Sequence, residues 1–330
     1  MRVIVTGASG FVGSRLVAAL LECRELRDRD GRMRPLSELV LVDALPGAAP
    51  RGRDGIVVAT LCGDLSDAAF RARALAAPFD SLFHLAVTLT ADAEANFARG
   101  RALNLDGLWH MLELCRAQPT PPRMVFASSM AAFGGALPDI VDDGEAQTPQ
   151  TSYGTHKAVA ELLINDYSRR NFLDGRSLRL PVLLIRPASP AQSISDRIGA
   201  VIREPLFGRD AVCPLAPGTR MPVASARSVA AALLALHDVP ASAFTANRAM
   251  NLPSLSVTMV EMVEALAHFA EGRRLGRVSW APDPALEAVL AGMPKGLRSA
   301  AASKLGIAAD ASFKDIIAIF LSEHAAAGAG

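Results

Sequence analysis

Tyr153 and Lys157 stand four residues apart at the head of the run TSYGTHKAVAELLI, residues 151–164. On a helix both side chains leave one face as neighbours. A phenol beside an ammonium is an acid/base pair in waiting. A free tyrosine ionises near pH 10, and bringing it to neutrality takes roughly 4 kcal/mol of preferential phenolate stabilisation at about 1.36 kcal/mol per unit. A nearby cation acts in that direction. Spacing alone also permits the bland reading, two residues that happen to share a helix face. A second feature bears on the choice. The stretch VFASSMAAFG, residues 125–134, ends an apolar run with Ser128 and Ser129, and a hydroxyl at a strand end can orient a reacting oxygen.

The elements that must position these groups begin at the N-terminus. An apolar strand, Arg2 to Thr6, runs into TGASGFVGSRL, with Gly7, Gly10 and Gly13 interleaved with Ser9, Phe11 and Val12 ahead of an amphipathic segment. Glycine suits a tight turn where backbone approaches a pyrophosphate and a helix packs on a strand; the helix N-terminus then offers N–H groups and a positive dipole end. The next strand, in SELVLVDAL, ends in Asp43, where a carboxylate can accept from both ribose hydroxyls and would repel a 2′-phosphate. NAD is therefore favoured over NADP, with Arg51 and Arg53 close enough to complicate the choice. CGDLSD places Asp64 and Leu65 at a third strand end, as adenine contacts or, for the acid, as a helix N-cap for which Ser66 competes. HLAVTLT places Leu85 and Ala86 at a fourth; His84 reads as a satisfied core histidine.

Short apolar runs alternating with helical periods describe an α/β fold, a Rossmann-type doubly wound parallel sheet. The strands expected are Arg2 to Thr6, Leu39 to Asp43, Ile56 to Ala59, Ser81 to Ala86, Arg123 to Ser128 and Leu180 to Arg186, with helices near 11–23, 67–76, 94–117 and 152–172. Residues 1–187 form the nucleotide-binding unit, with a return of chain from about 221–250, and 188–330 form a smaller, mainly helical substrate lobe. That lobe opens on a proline-rich, loop-like stretch, 187–225. Its helices are expected at Ser228 to His237, Thr258 to Ala270, Pro284 to Ala291 and Phe313 to His324, with a frayed Ala/Gly tail.

A net charge of +1 gives no electrostatic case for nucleic acid or an anionic membrane. The longest apolar run, VAAALLAL, is far short of the roughly 18 residues a span needs. The four dispersed cysteines suggest neither a metal site nor a disulfide framework, which fits a cytoplasmic protein whose partners are small molecules.

Taken in order, TGASGFVG, the Asp43 strand end, HLA, NLDG, VFASSMAAFG and YGTHK resemble the signature of the extended short-chain dehydrogenase/reductases, the NAD-dependent epimerase/dehydratase family. The resemblance implies Tyr153 as general acid/base and Lys157 as the residue that binds the nicotinamide ribose and lowers the tyrosine pKa. It implies Ser129 as holder of the substrate oxygen, because Ser129 lies four before the Phe133–Gly134 pair that replaces the family's usual Tyr-Gly. Asn104, in NLDG, matches the family asparagine near the lysine, as helix support or proton relay, and Pro187 completes the cofactor set. RPASPAQS, IREPLFGRDAVCPL and SARSVAAALL resemble the family's sugar-acid dehydrogenases. That implies oxidation of the C2 hydroxyl of D-erythronate to 2-oxo-tetronate. Arg220 is the candidate for the substrate carboxylate, helped by Ser193 or Thr88. A nucleotide-sugar 4-epimerase or uronate dehydrogenase is the alternative, and a non-catalytic NAD sensor the alternative of another class. A homodimer is implied through the helices carrying Trp109 and Tyr153, whose Leu108, Leu112, Val159, Leu162 and Leu163 could equally face the sheet.

Overall fold

The structure, a computed structural model, describes residues 1–45, 47, 50, 52–186 and 194–328. Val3, Ile4 and Val5 are β-branched and wholly buried, and they form the middle of β1 (Arg2–Thr6). Around it stand β2 (Glu38–Asp43), β3 (Val57–Cys62), β4 (Ser81–His84), β5 (Arg123–Ser129), β6 (Asp174–Leu180) and β7 (Ala249–Asn251). The seven strands lie in the order β3-β2-β1-β4-β5-β6-β7, parallel from β3 through β6. Strand order reverses between β1 and β4, the place where a doubly wound sheet opens a crevice at its carboxyl edge.

The helices on this sheet are α1 (Phe11–Cys23), α2 (Ala68–Ala74), α3 (Thr90–Ala95), α4 (Phe97–Arg101), α5 (Leu108–Arg116) and α6 (Ser152–Arg169). Leu108, Met111 and Leu112 of α5 and Ala160 and Ile164 of α6 pack against Ile4, Leu82, Met124 and Phe126 of the strands. Each such large side chain contributes about 1.5–3 kcal/mol by leaving water. Leu108 and Leu112 thus face the sheet and Leu163 packs at the margin of the same core, while Leu162 and Trp109 are exposed.

The chain folds as two compact units. The first comprises Met1–Ala132, Thr151–Leu180 and Val229–Met250, and the second Phe133–Gln150, Pro181–Ser228 and Asn251–Gly330. Ile198, Val201, Ile202, Met221, Met259, Met262 and Ile317 are buried at the centre of the second. Its strands form two-stranded pairs, such as Arg220–Val223 with Leu255–Thr258.

Several expectations are corrected. The sixth strand is Asp174–Leu180, one segment before the expected Leu180 to Arg186. DGRSLRL reads as too charged for a buried strand, but Asp174 pairs with Arg176, and also with Arg123 and Arg248, and Glu161 pairs with Arg179, so the charges enter the interior with partners. The proline-rich stretch contains a helix, Ile194–Leu206, with Pro205 one residue from its end, where it disturbs little. The expected helix 94–117 is broken into α3, α4, a π-helical turn Ala102–Gly107 and α5. The last helix runs on to Gly328 past the expected stop at His324. Between α1 and β2 lies an unforeseen antiparallel hairpin, Glu25–Arg27 with Met33–Pro35, which accounts for the long gap between the glycines and Asp43. Its strands bury Leu26 alone, so they carry no alternating apolar signal.

Candidate active site

The glycine turn is built to dimensions that exclude side chains. Gly7 has φ +70°, and a Cβ there would fall 2.8 Å from the Ala86 nitrogen. A Cβ on Gly13 would stand 2.0 Å from the Gly7 carbonyl oxygen, so α1 leaves β1 with no room between them. Gly10 is the N-cap of α1 and gives no side-chain cap bond, and the first turn holds no acid. The helix end is left with N–H groups and a positive dipole end for an anion, which suits a pyrophosphate. Phe11 and Val12 open that helix. Asp43 accepts from Ser9 N at 2.8 Å and from Leu45 N at 3.1 Å, which ties the acid to the turn while leaving lone pairs on both oxygens. Beside it opens a cavity of about 460 Å3 lined by Ser9, Ser14, Val17, Leu21, Asp43, Arg53 and other residues. The residues present therefore fit a dinucleotide.

Across the switch point, Leu85 N donates to the Thr6 carbonyl at 3.1 Å, and Leu85 N and Ala86 N both approach the Thr6 hydroxyl at 3.2 Å. The Thr6 hydroxyl also meets His84 Nδ1 at 2.7 Å. His84 is thus a partnered core histidine; burial and then Lys157 draw its pKa down to about 3, and it stays neutral. Asp64 does not cap a helix: its Oδ1 accepts from Ser66 N at 2.7 Å, and Asp67 is the N-cap of α2. Leu65 is buried in the core, its carbonyl accepting from Arg71 Nη1 at 2.5 Å.

Tyr153 and Lys157 lie in the first two turns of α6, whose N-cap Thr151 accepts from Gly154 N at 3.0 Å. Both are buried. Ser129 stands beside the Tyr153 phenol and acts on its ionisation, and its own oxygen accepts from Ala131 N at 3.1 Å. Lys157 Nζ donates to the Ala127 carbonyl at 2.6 Å and lies 4.3 Å from the Phe126 ring centre and 5.7 Å from that of Tyr153. Burial pushes the Tyr153 pKa up to about 12, with Ser129 acting the other way. Burial draws Lys157 down to about 7, with Glu161 opposing. Burial thus raises the demand on the site to roughly 7 kcal/mol of phenolate stabilisation before Tyr153 can serve as a base near neutrality.

Asn104 sits in the π-helical turn and is buried. Its Oδ1 accepts from Thr88 N at 2.9 Å, and its Nδ2 donates to the Thr88 carbonyl at 3.1 Å and lies 3.3 Å from His156 Nδ1. The amide therefore pins the backbone of Thr88. Ser128, adjacent to Ser129, turns instead to Glu161, which is ion-paired with Arg179. Sequence reading passed over Glu161, although it lies four residues past Lys157 on the same face of α6. Arg220, in the second unit, donates to the Ser256 carbonyl at 2.8 Å and lies 3.8 Å from Glu261. Pro187 and Ser193 lie outside the described residues. Among the described residues, no three His, Cys, Asp or Glu are grouped to hold a metal, and no helix is long and apolar enough to cross a membrane.

The sequence model of the NAD dependent epimerase/dehydratase family matches residues 3–251. The chain belongs to that family. It is an NAD-dependent oxidoreductase with NAD as its cofactor. Among curated proteins it is 39% identical to a D-erythronate dehydrogenase of Cupriavidus necator, over 98% of either chain. It is 32% identical to one of Haemophilus influenzae, over 97% of this chain and 99% of the other. Among solved structures it is similar to a nucleoside-diphosphate-sugar epimerase from Agrobacterium tumefaciens. That likeness has a TM-score of 0.87 at 34% identity and covers 96% of this chain and 92% of that one.

Proposed function

We propose that this chain oxidises the C2 hydroxyl of D-erythronate to the 2-oxo acid. The chemistry rests on one observation: the buried Tyr153 phenol lies under the influence of Ser129, with Lys157 Nζ 5.7 Å from the Tyr153 ring centre and one turn along the same helix. The choice of substrate rests on the full-length similarity to the two D-erythronate dehydrogenases. Bound NAD supplies the hydride acceptor. Ser129 orients the substrate oxygen, and Tyr153 removes its proton as the C2 hydride departs, leaving the ketone. Lys157 supplies positive charge that favours the phenolate. The glycine turn and Asp43 hold the dinucleotide by its phosphates and adenosine ribose.

The similarity to a nucleoside-diphosphate-sugar epimerase motivates a second reading, 4-epimerisation of a nucleotide sugar. The deciding experiment follows NADH formation with D-erythronate, L-threonate, D-threonate, hexuronates and UDP-sugars. D-Erythronate is expected to lead; activity confined to a UDP-sugar overturns the substrate assignment. Tyr153→Phe is expected to abolish turnover while retaining NAD binding, and near-normal activity in that variant refutes the mechanism. The exposed Trp109 and Leu162 on α5 and α6 further support a homodimer, which sedimentation of the protein and of Leu162→Glu would test.

A further inference from the structure

Tyr153, Lys157 and Glu161 recur every four residues along α6, and all three are buried. All three face the end of β5: Tyr153 lies beside the Ser129 side chain, Lys157 donates to the Ala127 carbonyl, and Glu161 accepts from the Ser128 hydroxyl. Ser128 and Arg179 are partners across the β5–β6 ladder, so both side chains leave the same face of the sheet, and both end on Glu161. Arg179 Nε lies 3.0 Å from each carboxylate oxygen and its Nη2 2.8 Å from Oε2. A carboxylate gripped by a serine and a guanidinium fork cannot swing away, and the next cation along its helix face is Lys157.

We propose that Glu161 is a positioning residue that keeps Lys157 an ammonium ion beside Tyr153, with Arg179 and Ser128 holding the carboxylate in place. This rests on the reading of Tyr153 and Lys157 given above. The other groups packed about the lysine do not supply its counter-charge. His84 on β4 is neutral, Asn104 is uncharged, and His156 and Tyr153 on α6 carry no negative charge until Tyr153 ionises. Glu94 and Asp106 act on His156. Burial pulls Lys157 toward deprotonation, and Glu161 is the group that opposes it. Without that carboxylate Lys157 gives up its proton at lower pH, and the phenolate of Tyr153 forms only at higher pH.

The test is the paired variant Glu161→Leu/Arg179→Met, which removes both buried charges without stranding either. The rising limb of its pH profile for kcat/KM in the oxidation direction is expected to move up by about one unit, a loss of about tenfold at neutral pH that alkaline pH restores. Tyrosinate absorbance with saturating NAD gives a readout apart from turnover. The chain holds two tyrosines, so in a Tyr167→Phe background the signal belongs to Tyr153, and its midpoint should rise by the same amount. Ser128→Ala, which loosens one hold on the carboxylate and leaves the ion pair intact, should move both midpoints much less than the paired variant does. An unmoved limb in the paired variant, or an equal displacement by Ser128→Ala, overturns the proposal. If the paired variant does not fold, Glu161→Asp withdraws the carboxylate by one methylene and should give a smaller shift of the same sign; no shift there also overturns it. Failure of Tyr153→Phe to lose activity would instead refute the underlying assignment of the base.

Discussion

Asp43 carries two demands on one carboxylate, accepting backbone N–H groups from Ser9 and Leu45 while facing the cavity that runs beside α1. Replacing it with alanine removes charge-assisted hydrogen bonds worth about 1.5–3 kcal/mol. Affinity for NAD should then fall about tenfold or more, and the preference for NAD over NADP should narrow. The ratio of kcat/KM for the two cofactors is the measurement, and an unchanged ratio refutes the role given to Asp43. Residues of this kind are legible in sequence because their types are chemically loaded and their place is fixed by neighbouring glycines or strand ends. Tyr153, Lys157 and the Ser128–Ser129 pair were visible on those grounds, Asn104 and the choice of Ser129 only through the family resemblance, and the structure brings Tyr153 near Ser129 and Asn104 to Thr88. Glu161 was not visible, because an acid within a helix ordinarily marks a solvated face; nothing local announces that Arg179 will arrive opposite it from another strand.

At the scale of elements, the β1–α1 turn is the least tolerant part of the site. Gly13→Ala would set a methyl 2.0 Å from the Gly7 carbonyl oxygen. The helix must retreat, and its N-terminus withdraws from the phosphates. NAD binding, read by calorimetry, should weaken by at least about tenfold while the circular dichroism of the helices changes little; intact affinity would show that the turn has slack. Strands whose interior residues are apolar were readable in sequence, and those at β1, β2, β4 and β5 lie within two residues of their expected ends. The sixth strand and the hairpin are hidden for different reasons: the strand buries aspartate and arginine whose partners include residues distant in sequence, whereas the hairpin buries Leu26 alone and carries no apolar alternation. The π-helical turn is hidden for another reason, since one extra residue in a helix leaves composition and periodicity nearly unchanged.

For the molecule as a whole, two of the three buried histidines, His84 and His237, set most of a pH dependence of stability, and burial lowers His156 in the same sense. Burial draws His84 to about 3 and, against the opposing pull of Asp238, draws His237 to about 4. In the unfolded chain both ionise near 6.5, so between that value and their native values the unfolded state binds more protons and stability falls as pH falls. The urea midpoint should begin to drop below pH 6.5, well above the region where carboxylates take up protons; a flat midpoint down to pH 5 would refute this. Overall class was legible from the alternation of runs, but the division into units was less so, because each unit gathers three separate segments. That discontinuity bears on how the protein is made. Arg176 of β6 donates to the carbonyls of Leu236, His237 and Val239, and β7, the strand beyond β6, begins at Ala249. A ribosome that has released β6 must first extrude Pro181–Ser228, which belongs to the other unit, before these partners emerge. The nascent first unit therefore waits with an open edge and an uncapped guanidinium, and it closes only after most of the chain has been translated.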